Sequence, residues 1–311
     1  MSSQVDKKRL SICIPTRGRR EILRTTLLSI FSSGISTQLY EVVVYDSSDS
    51  NLDLNSFYGS FGMANLRFVH GVNYGYLNLI EALKLGEGEY LKLHNDYSSF
   101  LPNSLNIMIE EVGKAAIEKP LLVFSNNTLE KMPNKLTAST FNDFLYILSY
   151  YSTWSTLFGV WKEDFDLVKD CSINPMFPHT SILYANSYKN SYSINNNLLF
   201  FNQEVGNKGG YNLFRVFAVE FLNMANELRI NSIIVDKTFN KIKRDMFFTF
   251  LIRWYSETKI LKNSYTFILS NIRESILIHY SLKDYYLLLF LAYVRSIKKV
   301  LIKMFLGSKS V

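Results

Sequence analysis

Gly-Glu-Tyr-Leu-Lys-Leu-His-Asn-Asp, residues 88–96, is the stretch on which the reading of this chain turns. A Gly86-Glu-Gly88 turn opens into a short apolar run that stops at His94-Asn95-Asp96, and Pro102 follows six residues later. A buried strand ending on one carboxylate, flanked by His and Asn, fits a strand tip that meets a ligand. It also fits a turn capped by its own aspartate. The segments on either side bear on that choice.

Upstream, Arg9-Leu-Ser-Ile-Cys-Ile-Pro15 reads as a buried strand ended by Pro15, followed by the polar loop Thr16-Arg-Gly-Arg-Arg20. Apolar positions 22, 23, 27, 28, 30 and 31 then recur at helical spacing. Glu41-Val-Val-Val-Tyr-Asp46 is a second strand, stopped by the turn formers Asp46-Ser-Ser-Asp-Ser50. Leu66–His70 is a third strand, a helix is expected from about 77 to 85, and Glu89–Leu93 is the strand of the opening stretch. Strands alternating with helices imply a mostly parallel sheet covered on both faces, which binds ligands beyond the carboxyl ends of its strands. Asp46 and Asp96 both lie just past such ends. Further on, 121–124 and 155–161 read as strands and 164–169 as the start of a helix. The polar segment 187–212 reads as a mobile functional loop, and from Phe214 the chain reads helical to its end.

The 311 residues are 48% hydrophobic and 20% charged, enough for one large domain with a smaller appendage. The expected division is 1–235 and 236–311. Cys13 and Cys171 have no metal-type spacing and read as reduced, buried thiols of a cytosolic protein. No signal peptide is expected in Met1–Arg9, and no run reaches the roughly 18 apolar residues of a membrane span. The net charge is +7, but from Lys241 onward thirteen bases face four acids, leaving residues 1–240 at −2. The basicity belongs to the tail. This argues against a nucleic-acid-binding body and for a tail that meets an anionic surface.

Four segments in register over about 90 residues resemble the family 2 glycosyltransferases, which have the GT-A fold: a Rossmann-like, mostly parallel sheet flanked by helices. They are Ser11-Ile-Cys-Ile-Pro15-Thr16, Glu41-Val-Val-Val-Tyr-Asp46-Ser-Ser, Asn73-Tyr-Gly75 with Asn78, and Gly88 to Asp96. The resemblance implies that Pro15 and Thr16 lie against a nucleotide, that Asp46 reads its base, and that Asn73 and Asn78 lie near ribose and diphosphate. Asp96, with Asn95 beside it, then stands in the acidic motif that holds Mg2+ or Mn2+ against the leaving diphosphate. The family has two or three acids there and this chain has one. Arg17 and Arg19 read either as a solvated loop or as phosphate partners. Asp46 and Asp96 retain their alternative reading as caps of the turns that follow them.

The resemblance continues through Gly159-Val-Trp-Lys162 to the place of the family's acidic pair, whose Asp is the catalytic base. Met176-Phe-Pro-His179 stands there instead, so His179 is the candidate base, with Glu163 and Asp164 read as helix-stabilising acids. His94 reads as a ligand or its neighbour, Trp154 and Trp161 as core or sugar-stacking rings, and Gly209-Gly210 as hinges of an acceptor-side loop. The tail carries an apolar block, Asp284–Val294, too short to span a bilayer, and from Arg295 alternates bases with apolar residues at helical spacing. It reads as an interfacial helix on anionic lipid, or as a helix packed on the catalytic domain or in a homodimer.

The resemblance therefore implies an inverting, cytoplasmic, peripheral-membrane glycosyltransferase using a nucleoside-diphosphate sugar. A saccharide or lipid-linked acceptor in bacterial O-antigen or capsule assembly fits the tail. The alternative is a non-catalytic member that binds a sugar nucleotide or a membrane partner.

Overall fold

Ser11, Cys13 and their neighbours alternate faces along the first strand, and both faces are covered. The computed structural model describes residues 8–49, 53–206 and 208–307; the segment before Lys8, Ser50, Asn207 and Lys309, all part of the readings above, lie outside them. The chain divides into two compact units, residues 1–144 with 151–204, and residues 145–150 with 205–311.

In the first unit the elements run β1 (Leu10–Thr16), α1 (Arg20–Phe31), β2 (Tyr40–Asp46), α2 (Leu54–Gly59), β3 (Leu66–His70), α3 (Asn78–Lys84), β4 (Tyr90–Leu93), β5 (Ser98–Phe100), α4 (Ser104–Ala115), β6 (Leu121–Phe124) and β7 (Lys135–Ala138). Then come α5 (Phe141–Leu148), where the division between units falls, and β8 (Gly159–Trp161), α6 (Lys162–Val168), α7 (Pro178–Ala185), β9 (Tyr192–Asn195) and β10 (Phe200–Asn202). The central sheet has the order β3-β2-β1-β4-β8, parallel except for β8. Leu10, Ile12 and Ile14 enter a core with Leu23 and Leu27 of α1 and Met108 and Val112 of α4. On the other face α3 packs on β1, β2 and β4. Every residue of β2 and β4 is buried, as a two-sided parallel sheet requires.

Several details differ from the sequence reading, and Trp161 takes the core alternative. Only 159–161 of the expected strand 155–161 is extended; 155–157 form a 3-10 turn. The polar segment 187–212 is not a loop, since it carries β9 and β10 and, in the second unit, β11 (Gly209–Asn212). Its asparagines build structure: Asn196 is fully buried and bonds Ser125 and the backbone of Leu129. Trp161 is core, 1% exposed, edge-on to Tyr90 and donating to the Pro120 carbonyl.

In the second unit β11 pairs with β12 (Thr266–Ile268), so the chain after Phe214 is not helical throughout. Gly209 stands at φ 142° with its α-carbon against the backbone of β12, which makes it a strand residue and not a hinge. The remainder is helical: α8 (Leu222–Ile230), α9 (Asp236–Asp245), α10 (Ile252–Tyr255), α11 (Ile272–Leu277) and α12 (Leu282–Gly307), with π-helical turns before α8 and on either side of α10. Because α8 packs on α9, compactness puts the division at 204/205 instead of 235/236. No helix among the described residues is long and apolar enough to cross a membrane. Helix α12 buries Leu288, Ala292 and Ser296, whereas Ile297, Val300, Leu301, Met304 and Phe305 beyond them are exposed. Both cysteines are free, Cys13 buried and Cys171 half-buried.

Register in the sheet depends on Gly88. A Cβ there would stand 2.8 Å from both the amide nitrogen and the hydroxyl of Ser11, and 2.9 Å from the Leu10 carbonyl carbon. Backbone on a central strand cannot give way cheaply, so Gly88→Ala should destabilise the fold by about 1–3 kcal/mol, as overpacking does. Chemical denaturation measures it, and an unchanged midpoint would refute this account of the turn.

Candidate active site

Three parallel strands end at one edge of the sheet, with Thr16 opposite Asp46 in the β1–β2 register and Cys13 opposite Leu93 in β1–β4. Asp96, three residues past β4, thereby reaches Thr16, whose hydroxyl donates to its Oδ2 at 2.7 Å. Arg19 Nε lies 3.0 Å from the same oxygen, and the guanidinium sits over the Tyr97 ring. Asp96 is 1% exposed. Burial raises its pKa, while the Arg19 charge and the Thr16 and Arg19 hydrogen bonds oppose the shift.

Asp46 is equally buried, and both of its oxygens are held. The Ser48 amide donates to Oδ1 at 2.9 Å and the Tyr58 hydroxyl to Oδ2 at 2.6 Å. Tyr58 is stacked on Phe68, with ring centroids 4.2 Å apart. The turn-capping role therefore exists, and a tyrosine from α2 adds to it. Ser47 donates to the Thr16 carbonyl from both its amide and its hydroxyl. Asn78 donates to Ser47 Oγ (3.0 Å) and Asn73 Oδ1 (3.1 Å) and accepts from the Tyr74 amide. Thr16, Asp46, Asn73, Asn78 and Asp96 thus belong to one connected edge. Pro15 pairs in register with Tyr45 beside it, and Arg17 is exposed on the loop above.

Asn95 turns to a different partner, accepting from the Ser155 hydroxyl at 3.0 Å. The 155–157 turn is tied down from below by Lys92, fully buried, whose ammonium donates to the Leu93 and Thr156 carbonyls. Burial lowers the Lys92 pKa to about 7. His94 faces the core and not the crevice. It is stacked on Phe100, its Nε2 contacts the Ser98 carbonyl at 2.6 Å, and burial pushes its pKa down to about 3.

His179 is the second residue of α7 and 4% exposed. Its Nε2 lies 2.9 Å from the Thr153 carbonyl, and its Nδ1 is buried without a partner. Burial pushes its pKa down to about 4, so the ring is neutral, with the Nε2 proton on Thr153 and the lone pair on Nδ1. Thr153 stands two residues before Ser155, and that is the link from His179 to Asn95. Glu163 and Asp164 lie in the first turn of α6, paired with Lys119 and Lys189, as helix-stabilising acids do.

Sequence reading missed Tyr58 and gave Arg19 no more than an even choice. Nothing local connects Tyr58 with Asp46, because their contact depends on where α2 packs. Among the described residues no three His, Cys, Asp or Glu side chains cluster as a metal cage. Asp96 is the one carboxylate of its strand tip, and its Oδ2 already receives a hydroxyl and a guanidinium.

No protein-family model matches the chain, and no curated protein sequence matches it. Solved structures do. The chain is similar to residues 1–349 of TarS from S. aureus in complex with UDP-GlcNAc, with a TM-score of 0.58, 16% identity, and coverage of 82% of this chain and 77% of that one. It spans 46% of a longer TarS structure. It is also similar to the mannosyltransferase PcManGT from Pyrobaculum calidifontis in complex with GDP-Man and Mn2+, with a TM-score of 0.50, 11% identity, and coverage of 94% and 87%. The architecture is the GT-A fold, an α/β sheet with a helical C-terminal region.

Proposed function

We propose that this protein is an inverting glycosyltransferase that moves a sugar from a nucleoside-diphosphate sugar to a saccharide acceptor. The observation that carries the reading is the shared strand edge, where Thr16, Asn73, Asn78 and Asp96 join through Ser47 into one hydrogen-bonded rim, with Asp46 opposite Thr16 in the sheet register. The complexes of TarS with UDP-GlcNAc and of PcManGT with GDP-Man support it. In this reading Asp46, clamped by Ser48 and Tyr58, presents its remaining lone pairs to an N–H of the base. Pro15, Thr16 and Arg17 border the nucleotide, Asn73 and Asn78 lie by the ribose and diphosphate, and Asn95 lies by the sugar. The acceptor hydroxyl attacks the anomeric carbon, the bond to the diphosphate oxygen breaks with its electron pair on that oxygen, and the hydroxyl proton goes to a base. The lone pair of His179 Nδ1 is proposed as that base, because a neutral ring with a free nitrogen is the required state.

The Mg2+ or Mn2+ expected from the resemblance finds a poor donor set here, and no step is assigned to it. One specific observation favours the non-catalytic alternative: the rim has a single strand-tip acid where catalysis in the family uses more. Turnover decides between them. Offered a panel that includes UDP-GlcNAc and GDP-Man with saccharide acceptors, the protein should release nucleoside diphosphate. Asp46→Ala should raise donor KM by roughly tenfold or more with kcat little changed, because base recognition is uniform binding. Binding without release under every condition would establish the non-catalytic reading.

His179 gives a second check. Between about pH 6.5 and 4 the unfolded chain takes up a proton that the folded protein refuses, so stability is full above 6.5 and falls as the pH drops through that window. The slope is up to about 1.4 kcal/mol per pH unit. His179→Gln should remove that share of the acid sensitivity in denaturant titrations at pH 7 and 5, and should cut kcat by roughly 10²-fold or more. Full turnover in the variant would remove His179 as the base.

The lipid-linked acceptor, the O-antigen or capsule setting and the position at the inner membrane face rest on α12. Its exposed apolar residues stand among Arg295, Lys298 and Lys303, a composition suited to anionic headgroups. Truncation before Asp284 should release the protein from anionic vesicles in a co-sedimentation salt series and spare transfer to a short soluble acceptor. Equal sedimentation of both forms, with a concentration-dependent dimer of the full chain alone, would assign the helix to a homodimer instead.

A further inference from the structure

The basic loop between β1 and α1 has a charge arrangement that the fold alone does not call for. Arg17, Arg19 and Arg20 surround the start of α1, the end of a helix that favours anions, and Glu21 is the one acid of its first turn. Arg20 has Nε and Nη2 buried without hydrogen-bond partners, its guanidinium 5.5 Å from the Phe57 ring centroid. Arg19 sets Nε on Asp96, and its two terminal nitrogens make no bond among the described residues, with 37% of the side chain exposed. Asp96 answers one of these three charges, and donors left open beside it point to an absent anion.

A divalent cation suits the same place poorly. Mg2+ and Mn2+ require several oxygen ligands, and the protein offers one carboxylate whose Oδ2 is occupied by Thr16 and Arg19. The neighbouring acid, Asp46, is committed to Ser48 and Tyr58. Asn95 Oδ1, the nearest neutral oxygen in sequence, accepts from Ser155. An ion on Asp96 would also sit against a fixed guanidinium.

We infer that Arg19, aimed by Asp96 and Thr16 and flanked by Arg17 and Arg20, neutralises the donor's diphosphate in place of a protein-held divalent cation. The inference rests on the nucleotide-sugar reading above. A guanidinium presents a planar fork of donors that matches phosphate oxygens and is charged at every working pH. As the bond between the anomeric carbon and the phosphate oxygen breaks, the electron pair stays on the diphosphate, and Arg19 meets the charge that develops there. Asp96 acts through Arg19 as its positioning residue.

Calorimetric titration of the full chain with UDP, and separately with GDP, tests this in EDTA and in Mn2+. The preferred diphosphate should bind with an affinity that differs by less than about threefold between the two conditions. Arg19→Ala should weaken that diphosphate by roughly 10–100-fold and leave the corresponding nucleoside unaffected, a split that general damage to the site would not produce. Arg19→Lys should recover part of the loss, which also guards against misfolding of the alanine variant. Binding that appears with Mn2+ and vanishes in EDTA overturns the inference and leaves the nucleotide-sugar reading standing. Failure of UDP and GDP to bind under either condition, with no turnover across the sugar panel, overturns both.

Discussion

The close approach of the Gly86-Glu-Gly88 turn to β1 sets everything at the candidate site. With no side chain at 88, the incoming strand lies directly on Ser11, whose hydroxyl accepts from the Gly88 amide and donates to Glu41. That contact puts Leu93 opposite Cys13, and the chain then has three residues in which to reach Thr16. A slip of one residue would turn every side chain of β4 to the other face and carry Asp96 away from Thr16 and Arg19. The rim is therefore a property of register.

The sequence was most readable where physics is local. β1, β2 and β3 and the helices between them announced themselves through β-branched runs and 3.6-residue spacing, and both strand-end aspartates came out at the same edge. What stayed hidden depends on contacts between distant residues. Tyr58 meets Asp46 only because α2 folds back over β3, and Arg19 meets Asp96 across most of the first unit's N-terminal half. Composition also misled. Asn195 and Asn196 look like loop residues, yet they are buried because Ser125, Asn197 and the 129–134 backbone satisfy their polar atoms. His94 looked like a ligand next to Asp96, but alternation continues through it and turns it inward onto Phe100.

Both units pair cations with carboxylates, and the second also carries the excess of bases. In the first, cations lie close to carboxylates: Arg19 with Asp96, Arg67 with Glu41 and Lys189 with Asp164. In the second, α12 pairs Lys299 with Glu257, where Ser256 and Ser296 also meet, and beyond that point its bases outnumber its acids. The excess charge of the chain is spread over the second unit, from Lys241 to Lys303 among the described residues.

The end of α12 is helix with little packed against it. Ser296 is its final buried residue, and everything from 297 to 305 is exposed around the whole circumference. At about 1.5 Å per residue this is roughly 14 Å of helix, held by its own backbone bonds, by the Lys299–Glu257 ion pair and by continuity with the packed turns behind it. Helical segments this short are marginal in water, and apolar side chains displayed on every side gain nothing there. Whatever surface receives them therefore also sets how far the helix winds. Contact and winding then become one equilibrium, and the length of ordered helix shortens or lengthens with it.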